Sequence, residues 1–212
     1  GNNVSGDGCS HDCKLEAPRW IQASPVTTPA ARGQHALVYD EARQVVVMFG
    51  GTVNQGQSQL ADTWEFDGLD WTQASPSASP PARWGHAMAY DAQRGVTVMF
   101  GGATGGGSVT FLADTWEYDG QTWTQVTPTT PPAAVAGHRL VYDSQRQRVV
   151  FVGADFMGSG VVATYDYDGQ AWTDTTTLDH PAARGAHAAW YDGARDRVVL
   201  FGGTDGTTLR GD

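Results

Sequence analysis

The chain of 212 residues contains a single lysine, Lys14, and its formal net charge is −10. A surface that binds DNA or RNA replaces phosphate counterions with clustered lysine and arginine side chains. No such basic cluster occurs in the sequence, so we expect no nucleic-acid partner. The apolar runs are also much shorter than the about 20 residues that a transmembrane helix needs. The sequence therefore predicts no membrane span.

Helical periodicity is also missing, because no apolar pattern with a period of 3.6 residues occurs. The sequence instead repeats itself at intervals near fifty residues. His35, His86, His138 and His187 open the four copies, with spacings of 51, 52 and 49 residues. Self-similarity at such a period indicates a repeat architecture built from one supersecondary unit.

Each copy reads as a succession of short strands. In HAMAYD (86–91) the apolar pattern alternates with a period of two, which is typical of a strand, and Asp91 then begins a tight turn. The next segment, VTVMFGG (96–102), is apolar on both faces and ends in paired glycines. Equivalent segments occur in the other copies, although the third has Gly153 and Ala154 in place of the glycine pair.

A second pair of strands completes each copy. DTWEYDGQTWTQ (114–125) places Trp116 and Tyr118 on one face, and Asp119-Gly120 predicts a type I′ hairpin turn before Trp123. Each period is therefore predicted to be a four-stranded antiparallel meander. Such sheets, arranged radially, form an all-β propeller.

The four copies resemble the kelch family in their histidine-led first strand, double glycine, aromatic third strand and tryptophan at the start of the fourth strand. The resemblance covers roughly residues 19–210 and implies a kelch-type β-propeller with about four blades present. The third copy departs from the pattern at Val135, Ala154 and Tyr165, where other copies have arginine, glycine and tryptophan.

We assign residues 18–212 to propeller blades, with copies that start near 32, 83, 135 and 184. Residues 19–25, RWIQASP, match WTQASP at 71–76 and are predicted to be the outgoing strand of a preceding or closing blade. Two interpretations follow: 20–23 completes the fourth blade of a small ring, or the chain is a fragment of a larger propeller. We favour the fragment, because propellers have typically four to eight blades and hide their sheet edges by closing.

The first 17 residues have a different character and contain both cysteines, Cys9 and Cys13. Residues 1–16 resemble the tail of a disulfide-rich repeat of bacterial surface and secreted proteins. That resemblance implies that both cysteines form disulfides in an oxidising compartment, so the expected location is secreted or at the cell surface. It leaves open whether they pair with each other. The alternative is a flexible leader with two incidental thiols.

No catalytic, metal or cofactor site is expected. The four histidines occupy one position in successive copies, so we interpret them as packing residues bonded to a neighbouring backbone rather than zinc ligands. Asp62 and Asp114 are also repeat positions and are predicted to be structural. The copper-radical oxidases that resemble kelch proteins use a tyrosine joined to a cysteine, and residues 14–212 contain no cysteine. An oxidase or glycosidase with catalytic residues outside this segment remains the alternative, and a structural spacer is a third possibility.

The predicted connections divide between two ends of the blades. Short turns share one face, and long connections such as 52–61 and 103–113 share the other, where binding usually lies. Arg32, Arg83 and Arg184 stand at the inner end of the long-loop face, next to Trp84. The kelch resemblance implies that such arginines contact an acidic ligand; the alternative is that they bridge adjacent blades. The sequence thus favours a non-catalytic module that binds a protein or glycan.

Overall fold

The computed structural model of the protein describes residues 21–53, 58–153 and 162–212, and this part of the chain folds into strands without helices. The first copy contains six strands: β1 (Ala36–Asp40), β2 (Val45–Phe49), β3 (Thr52–Val53), β4 (Ser58–Gln59), β5 (Thr63–Phe66) and β6 (Trp71–Ala74). Blade 1 is the antiparallel sheet β1-β2-β5-β6, and β3 pairs with β4 in a separate small hairpin.

The second copy repeats this arrangement. Its strands are β7 (Ala87–Asp91), β8 (Val96–Phe100), β9 (Ala103–Thr104), β10 (Thr110–Phe111), β11 (Thr115–Tyr118) and β12 (Trp123–Val126). Blade 2 is the sheet β7-β8-β11-β12, with β9 and β10 as its small hairpin. The two copies therefore match strand for strand.

The third and fourth copies follow the same order. Blade 3 consists of β13 (Arg139–Asp143), β14 (Arg148–Gly153), β15 (Ala163–Tyr167) and β16 (Trp172–Asp174). Blade 4 consists, in the described residues, of β17 (Ala188–Asp192) and β18 (Arg197–Phe201). The predicted all-β, kelch-type architecture of four-stranded antiparallel blades is confirmed.

The first strands of the copies lie innermost. Strand β7 packs between β1 and β13, and β13 in turn contacts β17. Alternate residues of an inner strand face opposite neighbours: Ala87 and Ala89 pack in a core with Leu140, whereas Met88 packs with Val47. The alternation of side chains along the inner strand therefore places residues in two blade interfaces.

The Asp-Gly turns differ from the prediction. Phe66 pairs with Trp71, and the amide of Asp67 donates to the carbonyl of Asp70, so Gly68 and Leu69 are the central residues. Only Gly68 has a positive φ, 97°, which is the pattern of a type II′ turn rather than type I′. The reason is the Asp67 carboxylate, which accepts from the amides two and three residues on.

A tryptophan joins blade 2 to blade 1, and another joins blade 3 to blade 2. Trp123 of blade 2 lies 5.2 Å from the Phe49 ring of blade 1 and donates from Nε1 to Thr63 Oγ1 at 2.9 Å. In the same way Trp172 of blade 3 donates to Thr115 Oγ1 of blade 2 at 3.1 Å. Both indoles are almost completely buried, so the interfaces combine apolar burial with one satisfied polar group.

The paired glycines bring neighbouring backbones together. A Cβ on Gly101, where φ is 63°, would lie 2.7 Å from the Val135 carbonyl of the next copy. A Cβ on Gly102 would lie 2.9 Å from the Trp84 carbonyl of its own copy. These positions therefore admit no side chain without moving backbone.

The N-terminal predictions fall largely outside the described residues, which exclude 1–20 and thus Cys9, Cys13 and the first two residues of the 19–25 segment. The remainder, 21–25, forms no strand, and Ile21 is 70% exposed. In the described ranges, no helix is long and apolar enough to cross a membrane.

Candidate functional site

The small hairpins and the ends of the links that lead into the first strands form one face of the molecule, which we call the loop face. The β3–β4 hairpin is tied to the link before blade 1 by a bridge between Gly33 and Thr52. A corresponding bridge joins Trp84 to Ala103 in β9, with amide-to-carbonyl distances of 3.0 and 2.8 Å. The loops of this face are therefore held by backbone hydrogen bonds.

An arginine, an aspartate and a tryptophan brace the loop face in each of the first two copies. Arg83 donates from its two terminal nitrogens to the two carboxylate oxygens of Asp114, each at 2.7 Å, and Trp116 Nε1 donates to the same carboxylate. Burial alone would raise the pKa of Asp114, but the hydrogen bonds and charge of Arg83, with Trp116, hold it below its usual value. We call this set the clamp.

The clamp recurs with the repeat. Arg32 pairs with Asp62 at 2.6 and 2.8 Å, and Trp64 donates to the same carboxylate. In the fourth copy Arg184 pairs with Asp212 at 2.8 and 2.9 Å. Bidentate pairs of this kind are among the stronger charge-assisted hydrogen bonds.

The clamp also connects successive blades. The Arg83 backbone donates to the Leu60 carbonyl and accepts from the Gly51 amide, both in blade 1, while its side chain binds Asp114 and the Gly101 carbonyl of its own copy. The alternative interpretation of the arginines, that they bridge blades, accounts for all these contacts.

The hydrogen bonds of the clamp fix the side chains of the predicted ligand-binding arginines. The side chains of Arg32, Arg83 and Arg184 are 4%, 0% and 1% exposed, so each is enclosed and engaged by a carboxylate. Trp84 is half-buried on the loop face. The contact of these four residues with a ligand stays a prediction, and in this arrangement the arginines fix the loops.

The third copy lacks the whole clamp. Val135 replaces the arginine, Ala163 the aspartate and Tyr165 the tryptophan, and Val135 packs in the core with Ala163 beside it. All three members of the clamp are thus replaced together, and apolar residues stand where the other copies have an enclosed ion pair. Such a replacement is physically acceptable when both partners change together.

The repeated histidines pack between blades. The ring of His86 lies against Gly50 of blade 1, and its Cβ lies against Gly102 of its own copy. Burial, with the charge of Arg83, lowers the pKa of His86 to about 3, and burial lowers that of His138 to about 3 and of His187 to about 4. The predicted packing role fits this placement.

The histidine prediction also expected each imidazole to bond to a neighbouring backbone. Backbone contacts to Phe49, Phe100 and Val152 of the preceding copies oppose the lowering of the pKa values of His86, His138 and His187, although no ring nitrogen of these histidines meets the full geometry of a hydrogen bond. The neighbouring glycines thus leave room for the imidazole ring between the blades.

A pocket of about 210 Å³ opens among the inner strands, near the end that leads to the loop face. Its walls come from β1, β7 and β13 and include His35, Leu37, His86, Met88 and Arg139. We call it the axial pocket. It brings together the first residues of three copies that are separated by about fifty positions in the sequence.

Arg139 is the residue of this pocket that sequence reasoning missed. It is half-buried, and its Nη1 donates to the carbonyl of His138; no carboxylate within 21–53, 58–153 or 162–212 pairs with it. Burial lowers its pKa. The sequence could have indicated this residue, because the equivalent position is alanine in the other copies, at Ala36, Ala87 and Ala188.

The acidic positions play structural roles, as predicted. Asp62 and Asp114 accept hydrogen bonds from arginine and tryptophan side chains. No group of three or more histidine, cysteine, aspartate or glutamate residues in the described ranges could hold a metal ion.

Comparison with known families agrees with this architecture. The family model described as the KLHDC2/KLHL20/DRC7 Kelch-repeats domain matches residues 9–203. Because the match covers most of the chain, the protein belongs to the kelch-repeat family. Domains of this family generally mediate protein interaction and are generally non-catalytic.

The coupled change in the third copy can be reproduced in the second. Asp114→Ala leaves the enclosed Arg83 without its carboxylate and is expected to cost about 3–5 kcal/mol of unfolding free energy, as is typical for a broken buried pair. The double variant Arg83→Val/Asp114→Ala, which copies Val135 and Ala163, should be more stable than Asp114→Ala alone. Urea unfolding followed by tryptophan fluorescence compares wild type, the single variants Arg83→Val and Asp114→Ala, and the double variant.

Val135→Arg serves as the matched control, because it introduces a buried arginine opposite Ala163 and should destabilise the third copy. If the two single substitutions of Arg83 and Asp114 add within about 0.5 kcal/mol, the pair is not coupled and the interpretation is wrong.

The buried histidines predict a loss of stability in mild acid. Their folded pKa values lie near 3–4, below the ordinary value of 6.5, so the unfolded chain takes up protons first. The free energy of unfolding should be highest above pH 6.5 and fall as the pH drops towards 4. Each histidine contributes a slope of up to about 1.4 kcal/mol per pH unit.

His138→Asn should reduce this slope, whatever its effect on stability at neutral pH, whereas His180→Asn at an exposed position should leave it unchanged. Urea unfolding between pH 4.5 and 7.5 provides the measurement. An unaltered slope in His138→Asn would show that the imidazole titrates normally.

Proposed function

We propose that this kelch-repeat chain is a non-catalytic binding module that engages a protein partner through its loop face, with an acidic group of the partner at Arg139. The observation that carries the proposal is a half-buried arginine that lines the axial pocket and has no carboxylate partner in the described residues. Charged groups that lose water are usually paired, so this cation favours an anionic ligand.

The loop face is suited to binding because its loops are fixed before a partner arrives. Backbone bridges hold the β3–β4 and β9–β10 hairpins, and the clamp holds the links between blades. A binding surface that is already ordered loses less conformational entropy on association. In this account Arg32, Arg83 and Arg184 support the surface from within, and Trp84 stands on it.

The local charge also favours this face. The carboxylates of Asp62, Asp114 and Asp212 are neutralised there by their arginines. The unpaired hairpin aspartates, such as Asp67 and Asp119, lie at the opposite ends of the strands, which we call the turn face. Among the described residues, an acidic group is therefore repelled least at the loop face.

The other interpretations predict different behaviour. A glycan ligand would stack on aromatic rings and would have no dependence on the charge of residue 139. An enzyme would need carboxylates or metal ligands that converge on one pocket, and the axial pocket contains histidines, aliphatic side chains and one arginine. A structural spacer would bind nothing at the loop face.

A fluorescein-labelled hexaglutamate peptide is a suitable probe of the pocket. We expect it to bind the chain in a salt-dependent manner, and Arg139→Ala to weaken binding by about tenfold, because one charge-assisted hydrogen bond is removed. Trp84→Ala should weaken it less. Fluorescence anisotropy at several salt concentrations measures both effects.

Two controls make the result specific. Arg197→Ala removes an exposed arginine of β18 and should leave hexaglutamate binding unchanged, and a hexaglutamine peptide should not bind. Binding that Arg139→Ala does not alter would place the site elsewhere, and binding of a neutral oligosaccharide to wild type and Arg139→Ala alike would favour the glycan interpretation.

We further propose that the chain is part of a secreted or surface-attached bacterial protein. The support is the resemblance of residues 1–16, with Cys9 and Cys13, to a disulfide-rich surface repeat. In an oxidising compartment both thiols should be oxidised. Thiol titration of the native protein under denaturing conditions should then find no free cysteine. Two titratable thiols in freshly isolated protein would contradict the proposed location.

A further inference from the structure

A row of three side chains lies across the loop face of the second copy. Trp84 bridges to Ala103 in β9, and Ala103 pairs with Phe111 in β10. Residues directly opposite each other in neighbouring antiparallel strands project from the same face of a sheet. The row therefore consists of an aromatic, a small and a second aromatic side chain. We call it the aromatic cleft.

The width of the aromatic cleft suits one inserted ring. Opposed residues have Cβ atoms about 5 Å apart, so those of Trp84 and Phe111, two strands apart, are separated by about 10 Å. Among the described residues, neither ring contacts another aromatic ring. Packed rings have centroids about 4.5–7 Å apart, so a single ring between these two would contact both.

The fold does not require aromatic residues at the two ends of this row. The equivalent positions in the other copies are Gly33, Ala136 and Gly185 for Trp84, and Gln59 and Leu209 for Phe111. Both rings are half-buried, and within the described ranges neither belongs to a core between blades. Large aromatic side chains that packing does not need are typical of binding surfaces.

The indole N–H of Trp84 is an unused hydrogen-bond donor. Four other indole nitrogens donate to side chains of the protein, those of Trp64, Trp116, Trp123 and Trp172. Trp84 Nε1 has no partner in the part of the chain that the structure describes, and it is not enclosed. An indole nitrogen can only donate. A ligand that fills the cleft therefore has to bring an acceptor to this N–H, or the donor loses its hydrogen bond to water.

These features favour a proline-rich segment over a glycan. The three side chains of the row contain one polar atom, Trp84 Nε1, whereas a sugar ring has several hydroxyls that need partners. A polyproline II segment has no internal hydrogen bonds, so its backbone carbonyls are free to accept, and its rings are apolar. Grooves lined by aromatic side chains are the usual receptors for such segments.

We propose that the aromatic cleft binds one proline ring of an extended, proline-rich segment of a protein partner. The ring lies between Trp84 and Phe111, over Ala103, and a backbone carbonyl of the segment accepts from Trp84 Nε1. The inference rests on the proposed function in one respect, that a protein partner binds the loop face. It does not depend on an acidic group at Arg139.

A fluorescein-labelled decaproline peptide is the probe, because it adopts the polyproline II conformation and has no charged side chain. It should bind the 212-residue protein. Trp84→Ala, which copies Ala136, and Phe111→Gln, which copies Gln59, should each weaken binding about tenfold or more. Trp84→Phe keeps a ring but removes the N–H and should weaken binding about tenfold. Fluorescence anisotropy measures these affinities.

A second measurement follows the hydrogen bond itself. In protein with isotope-labelled tryptophan, the indole N–H resonance of Trp84 is identified by its loss in Trp84→Phe. This resonance should move downfield when decaproline is added, because the N–H acquires a carbonyl acceptor. The resonances of Trp116 and Trp123, which already donate within the protein, should not move.

Three controls make the result specific. Leu209→Gln changes the equivalent hairpin position of the fourth copy and should leave decaproline binding unchanged. A decapeptide of alternating glycine and serine should not bind. Arg139→Ala should bind decaproline like wild type, so this test and the hexaglutamate test fail independently. Arg139-dependent binding of hexaglutamate without binding of decaproline would contradict this inference and leave the proposed function standing.

Other results would also overturn the inference. Decaproline might bind with equal affinity to wild type, Trp84→Ala and Phe111→Gln, which would place its site elsewhere. Alternatively, cellohexaose, a neutral glycan, could move the Trp84 resonance while decaproline does not. That result would make a glycan the occupant of the aromatic cleft.

Discussion

The structure depends on a tryptophan that blades 2 and 3 each place on the blade before them. The indoles of Trp123 and Trp172 are buried against phenylalanine rings and donate to threonine hydroxyls about fifty residues earlier in the chain. A four-stranded sheet of this size has little core of its own, so its stability comes from such stacking. This stacking requires adjacent backbones to approach closely. The glycine pairs, with the repeated histidines packed against them, allow that approach.

The two ends of the blades carry different chemistry. On the loop face, the clamp encloses its arginines and leaves Arg139, at the axial pocket, as a cation without a carboxylate partner in the described ranges. On the turn face, arginines of one blade lie over tyrosines of the next. In most copies, charged side chains therefore hold loops and neighbouring blades together. The third copy differs, because it lacks the clamp and has Arg139. The proposed binding residue stands in the least regular copy.

Much of the fold could be predicted because the repeat displays it four times. The fifty-residue period, the alternating strands and the division into two faces all depend on local patterns, and the structure confirms them. The partners of Arg83 could not be predicted, since Asp114 lies 31 residues away and pairing depends on how the loops pack. Arg139 was missed because an arginine occurs at this position in one copy only, so it was not part of the repeated pattern. The predicted turn type was also wrong. The type I′ prediction did not consider that the Asp67 carboxylate accepts hydrogen bonds from the backbone amides of Leu69 and Asp70.

Native-state hydrogen exchange, resolved by blade, tests most directly the claim that stacking on the next blade stabilises each sheet. Strands β2 and β8, which lie beneath Trp123 and Trp172, should exchange only through the highest-energy openings, and β17 and β18 should exchange through the lowest. A gradient of this kind would support the account. Equal protection in β8 and β18 would contradict it, because no tryptophan of the described residues stacks on β18 as Trp172 does on blade 2.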